Sequence, residues 1–242
     1  MRAVVVMALG LALLAGGCGA FRRGEADHVV RGTGPAGLLA YWDEDARAAF
    51  TPVHRSGSLL LDEQTQSQPA AVVMDVIAED RGTRRLYVET LGRKFGLPPP
   101  EVERLHAEQD RLFDTQVDFL LFFKESSPRG KPGGRSDLQH PDSPWRILLS
   151  DDDGRRYPPS GIRRITGDDL VFTFIEAHFS GIPPGTQVYR ISFPKLAKTV
   201  LGRPLGRRPF RLILAGAPGT LTLQWDDPAI FYRKPKEGAG KR

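Results

Sequence analysis

The residues able to do chemistry are few and scattered. The chain of 242 residues carries one cysteine and five histidines, His28, His54, His106, His140 and His178. A zinc site needs three or four converging ligands, commonly two of them one helical turn apart, and no HExxH run occurs. The nearest arrangement is Glu103-x-x-His106, which would put a carboxylate and an imidazole on one helix face. Di-iron carboxylate centres use two such pairs and further glutamates, so a single pair in a charge-dense helix reads as a solvated face. Asp151-Asp152-Asp153 before Gly154 has the composition of a calcium loop but not its spacing. An EF-hand loop alternates its ligands and closes with Glu at position 12, where this chain has Ile162. Asp and Gly tolerate turn geometry, so the run is expected to be a hairpin turn, with a weak surface calcium site as its other use. No GxSxG elbow, P-loop or dinucleotide fingerprint is present. Ser180-Gly181 follows His178 but falls in the turn-like tract Phe179–Gly185. Asp43/Asp45 and Asp168/Asp169 are carboxylate pairs of the kind any charged surface supplies. The expectation is a protein with no catalytic residue, no metal and no cofactor, and not an enzyme.

The lone thiol has a more specific context. Met1 and Arg2 form a short positive segment, and Ala3 to Gly17 are fifteen residues of Ala, Val, Met, Leu and Gly that end at Cys18. This is the anatomy of a secretory signal. As a helix the run would span about 22 Å, short of the ~30 Å hydrocarbon core of a bilayer. Leu14-Ala15-Gly16-Gly17-Cys18 resembles a bacterial lipobox, the signature of bacterial lipoproteins. That resemblance implies cleavage after residue 17 and lipidation of Cys18, with palmitate-type acyl chains holding the protein to a membrane. Several chains anchor stably, because each buried methylene contributes about 0.8 kcal/mol while one chain alone is marginal. Gly19 in place of Asp leans, by the same resemblance, towards the periplasmic face of the outer membrane in a Gram-negative source. With no second cysteine, no intramolecular disulfide can form and the fold must rest on its core.

The net charge of +5 comes from 34 Lys+Arg against 29 Asp+Glu. The basic residues are spread along the chain, not gathered into an aromatic-interleaved block, so nucleic acid is not an expected partner. Hydrophobic residues at 40%, with thirteen Phe, are enough for a core and exclude wholesale disorder.

The elements that must position these residues follow from periodicity. Residues 18–35, rich in Gly and charge, are expected to be a flexible tether. Leu38, Leu39, Trp42, Ala46 and Phe50 recur at helical spacing and predict a helix over 36–49, with a strand at Trp42 as the alternative. Gly57–Asp62 and Ala70–Ala78 are expected to be extended. A helical hairpin is expected at about 83–113: Tyr87, Leu91 and Phe95 recur every four residues, Gly96 and Pro98 end the first helix, and Pro99 or Pro100 opens the second. From Val117 the period becomes two. Phe119, Leu121 and Phe123 alternate with Leu120 and Phe122, which predicts a central strand covered on both faces. Residues 126–144 read as a polar loop. Trp145–Ser150 with Arg155–Tyr157, Leu170–Ile175, Val188–Phe193, Arg211–Ala215 and Leu221–Trp225 are expected to be strands, and 233–242 a basic disordered tail. Trp145, Trp225, Phe119, Phe123 and Phe193 are candidate core. Phe172, Phe174 and Phe179 are the candidate exposed patch for a partner.

The fold expected is mainly β, an antiparallel Ig-like β-sandwich over 36–232 with an inserted helical hairpin. The stretches RRLYVETLGRKFGLPPPEVERL at 84–105, WRILLSDDDGRRYPPSGIRRI at 145–165 and VYRISFPKL at 188–196 resemble a group of uncharacterised bacterial envelope lipoproteins. That resemblance implies a lipid-anchored β-rich body with a helical insertion and brings no activity. The function expected is non-catalytic binding or scaffolding against another envelope protein. The alternatives are a carrier of a lipid or glycan and, more remotely, an envelope hydrolase.

Overall fold

A computed structural model describes residues 27–30, 41–42, 50, 53–60, 71–126, 137–194, 209–216 and 219–226. Cys18, residues 1–17 and the tail 233–242 lie outside them. The described chain is mainly antiparallel β, with two five-stranded sheets and three helices.

The first sheet holds β3 (His54–Leu60), β4 (Ala71–Ala78), β5 (Gln116–Ser126), β10 (Gln187–Pro194) and β8 (Gly161–Ile165), in that spatial order and wholly antiparallel. β5 is the centre strand, and its alternation sets the layers. Phe119 points to the second sheet, with ring centroids 5.5 Å from Trp225 and 6.1 Å from Phe210. Phe122 points the other way, 5.6 Å from Phe179. All residues from Val117 to Phe123 are buried, as a strand covered on both faces requires.

The second sheet has the order β1 (Asp27–Val30), β12 (Gly219–Trp225), β11 (Phe210–Gly216), β6 (Trp145–Ser150) and β7 (Arg156–Tyr157). Its inward side carries Leu149, Leu212, Leu214, Leu221, Leu223 and Trp225, joined with the first sheet's inner face in one core. The turn Asp151–Gly154 joins β6 and β7 as expected. Asp151 Oδ1 accepts from the Arg155 amide at 2.9 Å, Tyr157 donates to Oδ2 at 2.9 Å, and Gly154 takes φ 78°. At one side β3 and β12 are joined across the sheets: Trp225 Nε1 donates to Val53 O at 2.8 Å, and Arg55 Nε to Gln224 O at 2.8 Å.

Between β4 and β5 the chain makes the helical hairpin, α1 (Arg81–Phe95) and α2 (Pro99–Thr115). Asp80 caps α1, its Oδ1 accepting from the Thr83 amide at 2.7 Å, and Gly96 closes the helix in the left-handed conformation at φ 59°. The two helices pack closely at Gly92, where an added Cβ would lie 3.2 Å from Val102 Cγ2. The hairpin lies with α3 (Leu170–His178) on the outer face of the first sheet.

Three expectations need correction. Leu170–Ile175 is helical, not extended: Asp169 caps it, and Val171, Phe174, Ile175 and His178 are buried at helical spacing. Tyr41–Trp42 of the expected 36–49 helix is a strand, β2, paired with β9 (Phe179–Ser180). The expected tether 18–35 contains β1, which runs parallel to β12 with Asp27 opposite Thr220. Of the expected polar loop at 126–144, residues 137–144 are described beyond Ser126 and form turns as expected, packed at Leu138, which is buried and whose amide donates to the Tyr189 hydroxyl at 3.3 Å. The strand β8 was not foreseen.

Candidate functional site

The densest group of charged side chains is buried under the hairpin. Register places Asp118 of β5 beside Ser192 of β10, and Leu120 between Ile77 and Arg190, all on the outer face of the first sheet. Glu79 follows β4 and is fixed by its amide, which donates to Asp118 O at 2.8 Å. From above, α1 lowers Arg84 between the two carboxylates and α2 brings Gln109. Arg84 Nη2 donates to Asp118 Oδ2 and lies 3.4 Å from Glu79 Oε2, while Nη1 donates to Gln109 Oε1 at 3.0 Å. Arg190 directs both Nε (3.0 Å) and Nη2 (2.9 Å) onto Glu79 Oε1. At the rim, Arg163 pairs with Asp169.

Two acids and two guanidinium groups balance, and the side chains of Arg84, Asp118 and Glu79 are at most 5% exposed. Burial alone would raise the Glu79 pKa, but Arg190 and Arg84 outweigh it and hold the carboxyl below its ordinary value. Asp118 goes the other way: burial, then the Glu79 charge, push it up against Arg84. Burial also pushes the Tyr87 phenol up to about 12. A recess at this joint is bounded by Glu79, Arg84, Gln109 and Arg190 and, on its apolar side, by Tyr87 and Phe174. It leaves about 10 Å3 to the centre of a water-sized sphere, far below the ~300–1,000 Å3 of small-molecule sites. Within the cluster the carboxylates are spent on the two guanidinium groups and on Gln109 through Arg84. Its chemistry is that of a joint between hairpin and sheet.

The histidines separate. His54 Nε2 and Asp75 Oδ1 meet at 2.7 Å, both at most 2% exposed, inside the protein where a substrate has no access. His178 Nε2 lies 2.7 Å from Thr90 Oγ1, whose own hydrogen goes to Leu86 O at 2.7 Å. Thr90 therefore accepts from His178, the reverse of a base activating a hydroxyl. His106 with Glu103 stands on α2, and His140 is exposed 3.9 Å from Asp142. Among the described residues, no group of three His, Cys, Asp or Glu is placed to hold a metal ion. Asp152 and Asp153 are exposed in the hairpin turn.

The expected partner patch is not a surface. Phe174 and Phe179 are 2% and 4% exposed, and half-buried Phe172 packs on the same core. Phe179 stacks on Phe50 at 5.2 Å, and Phe174 meets Phe50 and Tyr87 edge-on at 5.8 Å. Phe172 and Phe174 belong to α3 and Phe179 to β9, which follows it, so the run is part of the layer packed on the sheet. The sequence did hold a sign of the ion cluster that was missed: Asp118 interrupts an apolar strand buried on both faces, where a charge must find a partner.

No family model, no curated protein and no solved structure matches the chain.

Proposed function

We propose that this protein is a lipid-anchored lipoprotein of the bacterial cell envelope whose body binds or scaffolds another envelope protein without catalysis. The observation that carries the reading is the fifteen-residue apolar run ending at Cys18, the only cysteine of the chain. Anchoring through acyl chains at that thiol agrees with the helices described, none of which is long and apolar enough to cross a membrane. A non-catalytic body is supported by the spending of its buried charges on one another. For architecture, we infer a β-sandwich with a helical outer layer. An Ig-like arrangement is the finer form of that reading, supported by antiparallel pairing and inward aromatic faces. Such a sandwich would have to carry the parallel β1–β12 pair and the helical layer as additions. A lipid or glycan carrier gains nothing from the recess under the hairpin, which admits about one water molecule.

The test is Cys18→Ser in cells fed a radiolabelled fatty acid. Wild type should incorporate label and sediment with membranes, and the variant should take up none and retain its uncut signal. A variant that keeps the label would overturn the proposal. For the partner, crosslinking in intact cells followed by affinity purification should yield an envelope protein with wild type, and capture should fall when the exposed faces of α1 and α2 are recharged.

A further inference from the structure

The joint between hairpin and sheet leaves three polar atoms without a hydrogen bond, Asp118 Oδ1 among them. Glu79 Oε2, an acceptor, and Arg84 Nε, a donor, are buried and have no hydrogen-bond partner among the described residues. Their side chains are 5% and 4% exposed, and both line the same recess. A buried polar group left without a hydrogen bond has given up water for nothing in return, at a cost that grows when the group is charged. Two such atoms of opposite hydrogen-bonding type, on side chains that line one small space, call for a ligand that donates and accepts at once.

The surroundings decide its class. Arg84 and Arg190 repel a cation, and Glu79 and Asp118 repel an anion, so the occupant is neutral. The space of about 10 Å3 for a probe centre is close to the minimum that one water needs. A third polar contact is at hand: Thr83 lines the recess, and its hydroxyl hydrogen is already given to Asp80 Oδ1 at 2.9 Å, which leaves an acceptor. We infer that one resident water molecule completes this network, accepting from Arg84 Nε–H and donating to Glu79 Oε2 and Thr83 Oγ1. It binds α1 to the residue that follows β4, so it belongs to the attachment of the hairpin. Residues of α1, α2 and α3 line its chamber, and it leaves when the hairpin lifts. Its exchange rate therefore reports the opening of that joint.

A crystal structure of the full chain at about 1.5 Å resolution should show one ordered peak at hydrogen-bond distance, about 2.7–3.2 Å, from both Arg84 Nε and Glu79 Oε2. Oxygen-17 relaxation dispersion should count one fewer long-lived water in Val171→Ile, whose added methyl enters the recess from α3, than in wild type. A recess without density in a map that shows other buried waters would overturn the inference. So would Arg84 Nε bonded directly to Glu79 Oε2, or an unchanged count in a Val171→Ile protein whose crystal structure shows the recess filled.

Discussion

Arg84 ties the hairpin to the sheet through three side chains at once. Its guanidinium reaches Asp118 on β5, Glu79 after β4 and Gln109 on α2. Removing one partner of a buried pair costs about 3–5 kcal/mol, because the other charge stays behind unpaired. Arg84→Met should lose that much stability in urea unfolding, and Arg84→Met with Asp118→Leu should recover most of it. The pH dependence has a definite sign. The Glu79 pKa in the folded state lies below its ordinary 4.5, so the stability it contributes is complete above that value. It is lost as the pH falls through the lower folded value. Glu79→Gln should flatten the decline of unfolding free energy below about pH 4.5, read from urea midpoints across pH. Asp118 works with the opposite sign, since its raised pKa favours the folded state at low pH. Single residues were the least legible level of the sequence. Asp118 and Arg190 are 72 positions apart in the chain, and only sheet register sets them on one face. The core was easier: Trp145, Trp225, Phe119, Phe123 and Phe193 are all buried, because large apolar side chains have one favourable place to go.

Elements were legible where a cap or a strict period marked them. The hairpin was, through Gly96 and the prolines at 98–100, although α1 starts at Arg81 and α2 runs on to Thr115. Asp80→Ala removes two hydrogen bonds to Thr83 and should cost about 1 kcal/mol in thermal unfolding. The helix α3 was misread because Leu170-Val171-Phe172-Thr173-Phe174-Ile175 has strand composition, and a short apolar run does not declare its period. The helical spacing shows only when His178 is counted with Val171, Phe174 and Ile175 as one buried face. The end of β11 carries a close approach as well. A Cβ at Gly216 would lie 2.5 Å from the Trp145 ring, so Gly216→Ala should cost about 1–3 kcal/mol by overpacking, with a shifted indole fluorescence as the second readout.

At the scale of the molecule, the two sheets protect their far edges by composition. β7 and β8 are consecutive strands in different sheets, joined through Pro158-Pro159, and their exposed arginines 156, 163 and 164 oppose pairing with another chain. The opposite edge of the second sheet is closed by β1. Replacing residues 27–30 by Gly-Ser-Gly-Ser would uncover β12. It should lower the melting temperature and increase self-association, followed by light scattering. That strand could not be read from Asp27-His28-Val29-Val30 alone: its partner lies 193 positions away, and parallel pairing leaves no local signature.

The same strand sets how the protein carries load. Nine peptide units separate Cys18 from Asp27, which limits that span to about 30 Å when fully drawn out. Tension applied through the N-terminus reaches the fold first at the β1–β12 ladder. Pulled along the strand axis, the ladder is loaded in shear, so its hydrogen bonds share the force instead of parting one after another. While the ladder holds it passes the pull to β12, and its rupture is the first event under load, so β1 acts as the mechanical fuse of the molecule.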